Sequence, residues 1–229
     1  MTEELKKEKL AQKKMSRADF LKGMGKSVAG ITLVGGMSTL LAGCTEDAAT
    51  PAETPNSSVE AAPEWPYTYV EVDLDKAQER AYNAYMTQGG WGIGTAEGLF
   101  GTMAEEVGYP YDHIPTEAFI NAAGGYQIFS ICGTLGVASA FIGTVADADT
   151  QKKVVKELMA WYKTAEMPIY QPEAELDQSV SNSVICENSV GEYMSVAGVG
   201  MGDKPRKQRC AGVAADVTRK TFELLSENL

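Results

Sequence analysis

Residues 133–145 read GTLGVASAFIGTV, a run without a single charge in which apolar side chains and small residues alternate around every face of a helical wheel. A helix that is hydrophobic all round belongs inside a protein, because it has no face to offer water. Its glycines and alanines allow neighbouring backbones to come close, so this segment is expected at the centre of the fold.

The flanking sequence supplies the helices that would surround it. Downstream, Asp149 or Thr150 is placed to cap an amphipathic helix running to about Thr164, with Val154, Val155, Leu158, Trp161 and Tyr162 facing inward. Pro168 and Pro172 then open a loop to about Val184. A short helix follows Cys186, where Ser189 and Glu192 fit a capping box. Asp203 caps a last helix with Pro205 in its first turn, and Cys210, Val213, Ala214, Val217, Thr221 and Leu224 recur on one face. Upstream, Asp75 caps a helix to Gln88 that is stopped by Gly89-Gly90. A second runs from about Thr95 to Val107, and a shorter one from Pro115-Thr116 to Ala122. No period-two alternation competes. The expected fold is all-α, a single helical bundle around the buried 133–145 helix.

The N-terminal quarter reads differently. Basic residues from Lys6 to Lys26, an apolar stretch from Val28 to Gly43 and then Leu41-Ala42-Gly43-Cys44 have the order of a signal peptide ending in a lipobox. Residues 1–43 are therefore expected to be removed and Cys44 to carry lipid, holding the protein to a membrane outside the cytoplasm as a cell-envelope lipoprotein. Ser16-Arg17-Ala18-Asp19-Phe20-Leu21-Lys22 resembles the twin-arginine export motif, with Ala18 where the second arginine would stand. That route carries folded proteins and suits a chain that acquires its cofactor before export. Residues 44–65, rich in Ala, Pro, Glu, Thr and Ser, have too little to bury and read as a disordered tether. The folded domain is then 66–229.

The whole chain has a formal charge of −11. The leader contains eight basic and four acidic residues, so the remainder has 12 basic against 27 acidic, a net of −15. So acidic a surface repels phosphate backbones and excludes nucleic acid as a partner.

Beyond Cys44 three cysteines remain, Cys132, Cys186 and Cys210. An odd number in an exported chain points to a disulfide with a free thiol, or to a shared metal site. Cys132 precedes the Gly133 helix and Cys186 lies just ahead of the Ser189 cap. Helix N-termini favour thiolate. Cys210 sits beside Arg206, Lys207 and Arg209, the one basic cluster of the domain, which has the same effect. The plain alternative is that all three are small core hydrophobes. The absence of a CxxC pair leaves a thioredoxin motif or zinc knuckle without support.

The pattern as a whole resembles a redox-active family named for its C, GCAxxG, C, C cysteines, whose relatives include a domain of the split-Soret cytochromes. Ala123-Gly124-Gly125-Tyr126 with Ile131-Cys132-Gly133-Thr134-Leu135-Gly136 is similar to its glycine-rich segment and Cys-Gly motif. Cys186 with Ser189-Val190 resembles its third cysteine, and Arg209-Cys210-Ala211 through Leu225 its terminal helix. The resemblance, from about Ala81 to Leu225, implies that Cys132, Cys186 and Cys210 act as thiol/disulfide centres or as ligands of an iron–sulfur or other thiolate-bound metal in electron transfer. A redox partner protein follows from that role. Three sulfurs would leave a fourth metal position to an exogenous ligand or a second subunit, hence a homo-oligomer. Two departures stand out. Trp91-Gly92-Ile93-Gly94-Thr95-Ala96-Glu97, where the family has its first cysteine, contains none, which also admits a binding or scaffold module without a redox centre. No CxxCH occurs, so covalent haem is not expected.

Other chemistry is thinly represented. His113, the only histidine, is a candidate axial ligand for non-covalent haem or an exposed loop residue, and cannot alone build a zinc hydrolase site. Gly89 to Gly94 lacks the preceding strand of a Rossmann fingerprint and the Lys-Ser/Thr of a P-loop, and reads as a turn with tight helix packing. Ser181, Ser183 and Ser189 have no base partner for a hydrolase.

Overall fold

A computed structural model describes residues 63–229; the expected leader, the Cys44 lipobox and most of the tether lie outside them. The fold is all-α, 67% helical and 4% strand. Among the described residues there are seven α-helices, α1 (Leu74–Gln88), α2 (Trp91–Ala96), α3 (Thr102–Glu106), α4 (Gly133–Val145), α5 (Ala148–Thr164), α6 (Cys186–Ala197) and α7 (Lys204–Ser226). Among the described residues no helix is long and apolar enough to cross a membrane.

The uncharged run forms α4 with the expected ends, and Leu135, Val137, Ala138, Phe141 and Ile142 are buried along it. It shares the centre with α7. From Gln208 to Thr218 every residue of α7 is buried, and the helix packs against α1, α2, α4, α5 and α6. Only one apolar face was expected there. Beyond that face Ala211 and Ala215 are also buried, small enough for α1 to approach with its own Ala81, while Gly212 lies against Pro168 and the Tyr170 carbonyl.

Several helix starts differ from the sequence reading. Asp73, not Asp75, caps α1, accepting from the backbone N–H of Asp75 and Lys76; Asp147, not Asp149 or Thr150, caps α5 in the same way. Each start carries an Asp-x-Asp pair, and the first Asp takes the cap while the second stands in the first turn, where the helix dipole favours an acid. The second helix begins at Trp91 rather than Thr95 and is interrupted by a π-helical turn, Glu97–Gly101, before α3. Glycines tolerated there let it press on its neighbours: a Cβ on Gly94 would meet Tyr85 and Ala81 of α1. The short helix at Pro115 is a 3-10 helix, Thr116–Ala122. In α5, Val154, Leu158 and Tyr162 are buried as expected, while Val155 and Trp161 are only half-buried. The loop after α5 contains a two-residue antiparallel ladder, β1 (Glu166–Met167) with β2 (Ser179–Val180), pairing Glu166 with Val180 and Met167 with Ser179.

Ser189 does not cap a helix. α6 starts three residues earlier, at Cys186, and Ser189 is buried within it.

Candidate functional site

The starts of α4 and α6 are held side by side by backbone pairing. Ile131 and Ile185 form an antiparallel bridge, Cys132 N–H donates to Val184 C=O at 2.9 Å, and Cys186 N–H donates to Ser130 C=O at 2.6 Å. This β-like clasp puts one cysteine at each helix start. The turn before it closes over Cys186: Gly124, Gly125, Tyr126, Gln127 and Phe129 all have positive φ. Gly125, at φ +57°, lies so close that a Cβ there would come within 2.8 Å of Cys186 Cβ, so both its conformation and its lack of a side chain are used. Gly133 in turn backs onto the Ala122 carbonyl, where any side chain would clash.

Cys210 arrives from the second turn of α7. Cys132, Cys186 and Cys210 line one largely enclosed cavity with Thr134, Tyr162, Ser189, Val190, Arg209 and Val213. All three thiols are free and buried. Cys132 belongs to the larger apolar core, and Cys186 and Cys210 to a second, smaller one. The cavity sits where the two meet. The sequence reading brought these residues together only through family resemblance; the fold brings them together physically. Among the described residues, no three His, Cys, Asp or Glu side chains already form a cluster that could hold a metal ion, so ligation would require the thiols to turn toward one another.

Polar groups reach two of the sulfurs. Cys132 Sγ lies 3.2 Å from Thr134 Oγ1, and the Tyr162 hydroxyl, which also hydrogen-bonds Cys132, lies 2.9 Å from Ser189 Oγ. Tyr85 of α1 hydrogen-bonds Cys210. Both phenols are driven well above their ordinary pKa, first by burial and then by the neighbouring sulfurs. Cys186 is pushed up to about 12, chiefly by burial and then by Cys132 and Cys210, with Arg209 and Arg206 opposing. Thiolate was the form expected at the helix starts. At Cys186 desolvation outweighs the helix terminus, and the thiol is held protonated.

Arg209 is the residue that the sequence reading misplaced. It was counted with Arg206 and Lys207 as a basic cluster, yet only Lys207 of the three is exposed, and Arg209 retains 1% of its surface. Its Nη2 donates to Ser189 Oγ at 2.8 Å, its Nη1 reaches Cys210 Sγ at 3.9 Å, and its plane lies over the Tyr193 ring. Its Nε–H has no partner. Burial works against its charge, while Cys210, Tyr162 and Cys132 work for it, and the net shift is upward. The available signal was spacing: Arg206, Arg209, Val213 and Val217 follow one another at three- and four-residue steps on a single buried stripe.

His113 stands elsewhere. It is exposed in a 3-10 turn, bonded to Asp112 at 2.7 Å and packed on Tyr109, and is not among the residues lining the sulfur cavity.

A helical fold that gathers three buried cysteines from separate helices into one cavity is suited to redox chemistry, and the family comparison places the chain in a redox-active class. The model described as "Putative redox-active protein (C_GCAxxG_C_C)" matches residues 94–224, more than half of the chain, and the chain belongs to that family. It is 28% identical over 167 residues to split-Soret cytochrome c of Desulfovibrio desulfuricans, a match that covers 69% of this chain and 60% of that protein. The solved structure of that cytochrome from strain ATCC 27774, described as having a novel iron centre, superposes with a TM-score of 0.68 at 28% identity, covering 70% of this chain and 71% of the other.

Proposed function

We propose that this chain is an exported, lipid-anchored redox protein whose Cys132, Cys186 and Cys210 exchange electrons with a partner protein. The observation that carries the reading is the convergence of all three sulfurs on one enclosed cavity beside a buried guanidinium. Membership of a redox-active family and likeness to an iron-bearing cytochrome support it.

The donor set fits a soft metal such as iron. Cys132, Cys186 and Cys210 would be its protein ligands, with the fourth position left to an exogenous group or a second copy of the chain. The metal would supply one-electron redox chemistry, and binding it would displace the thiol protons. The chain's own part is to exclude water, to orient the sulfurs through the clasp at Ile131 and Ile185, and to balance their charge. Without metal, the same thiols support dithiol/disulfide exchange: two sulfhydryls lose two protons and two electrons as one S–S bond forms, and the electrons pass to the partner's redox centre. The signal-like leader and Cys44 support placement on the outer face of a membrane or in the periplasm.

The test is isolation of the protein from the membrane fraction of its own host under anaerobic conditions, with metal analysis, an absorption spectrum and a thiol count before and after reduction. The expected result is a bound metal, or a thiol count that rises on reduction, lost in Cys132→Ser, Cys186→Ser and Cys210→Ser. Cys44→Ala should move the protein out of the membrane fraction. A protein without metal or chromophore, and with an unchanged thiol count, removes the redox reading.

A further inference from the structure

The cavity contains a buried charge, Arg209, that makes no direct ion pair among the described residues. Arg209 cannot shed its proton, and a buried cation without a counter-charge is costly. Yet none of the described ion pairs includes it. The buried carboxylate of the same helix, Asp216, feels its charge without pairing with it, and is engaged directly by the backbone N–H groups of Ile169 and Tyr170. What Arg209 does face is sulfur. It lines the same cavity as the three thiols, donates weakly to Cys210, fixes Ser189 against Tyr162, and keeps one buried donor, Nε–H, in reserve.

Resting on the redox reading above, we propose that Arg209 is the charge-balancing and positioning residue of the sulfur centre. Its guanidinium is the counter-ion for negative charge that arrives when the centre is reduced, so it raises the reduction potential and orders the sulfur ligands. The electrostatic reason is direct: an electron that arrives at a thiolate-bound metal without a proton makes the centre more negative by one charge, and a fixed cation at this depth is screened far less than one at the surface. Ser189 holds the guanidinium plane, and Tyr193 covers it from the other side. Arginine rather than lysine suits the position, because a planar fork can address Ser189 and Cys210 at once while Nε–H stays available.

The experiment compares wild-type protein with Arg209→Met and Arg209→Lys, each purified anaerobically with whatever centre it holds. Midpoint potentials are read by spectroelectrochemistry with mediators; a centre that proves to be a disulfide, reduced with two protons for its two electrons, brings no charge for Arg209 to balance and overturns the inference. Arg209→Met should lower the potential, shifting the reduction equilibrium at least tenfold toward the oxidised form, about 59 mV for a one-electron couple. Arg209→Lys should recover most of that shift. A purely structural role would make both variants less stable without this opposite ordering of potentials, so circular dichroism and thermal melting accompany each sample. If the wild type shows a redox centre and Arg209→Met leaves its potential unchanged, the inference falls while the redox reading stands. A wild type with no centre of either kind overturns both.

Discussion

At Cys186 two physical terms oppose each other, and their order has consequences. The helix start and the nearby arginines favour thiolate; burial and the other two sulfurs oppose it and win, pushing the thiol from 9.0 to about 12. A thiol shifted that far carries roughly a thousandth of the thiolate of an ordinary one at neutral pH. Cys186 should therefore alkylate with iodoacetamide at pH 8 at least about a hundredfold more slowly in the metal-free native protein than in urea, as followed by peptide mass spectrometry. Equal rates in the two states would contradict the burial argument. The sign for stability follows from linkage. Because the folded value lies above the unfolded one, the contribution of Cys186 is complete below about pH 9 and is lost as pH rises toward 12. The three cysteines were legible as residues because the chain contains so few. Their phenol partners Tyr85 and Tyr162, and the burial of Arg209, were not: an aromatic or an arginine on a helical stripe reads as core or surface until the facing helix is known.

Among the elements, helix identity was easier to read than helix ends. The 133–145 run declared itself because nothing in it tolerates water. Ends failed where two residues offered the same chemistry, as with Asp73 and Asp75 or Asp147 and Asp149, and at Gly92 and Gly94, which pack as tightly as expected but stand inside a helix and not in the turn before it. The clasp joining α4 to α6 was invisible, since an isolated bridge between Ile131 and Ile185 leaves no periodic trace. It predicts a sensitive point. In Gly133→Ala the new methyl group would collide with the Ala122 carbonyl, backbone that cannot swing aside. Forcing α4 away from the 3-10 helix should cost about 1–3 kcal/mol, the usual range for overpacking. It should also expose the sulfur cavity, so that urea unfolding shows lower stability and native-state alkylation of Cys132 accelerates. Unchanged stability with unchanged thiol reactivity would mean that α4 is not seated by this contact.

In the whole molecule, α7 joins the parts, and Asp216 is the residue through which it does so. Its carboxylate accepts from Ile169 N–H at 2.7 Å and from Tyr170 N–H at 3.0 Å, with Gln78 of α1 at 3.4 Å, tying the loop after β1 and the first helix to the inner one. An all-α bundle was legible from the lack of alternation, but this buried acid was not, because an Asp on a helix is ordinarily a surface residue. Burial pushes its carboxyl up to about 6 even though the two backbone donors, the charge of Arg209 and Gln78 pull it down. The native state therefore binds more protons than the unfolded chain between about pH 4 and pH 6. This residue's contribution to stability is greatest below that window, falls as pH rises through it, and is constant above. At about 1.4 kcal/mol for each pH unit of displacement, the loss amounts to at most about 3 kcal/mol. Asp216→Asn abolishes the titration and loses an acceptor for the two N–H groups at every pH; because the wild-type contribution is greatest in acid, the variant's deficit should be largest at low pH. Urea unfolding of wild type and variant at pH 4, 5, 6 and 7 should show the stability gap narrowing steadily with pH, by about 1–3 kcal/mol in total. A gap that widened with pH would mean that the backbone donors outweigh burial and that the carboxylate is the form the fold prefers. The loop from Ile169 to Tyr170 would then be held by charge, and weakening it would require acid rather than neutral conditions.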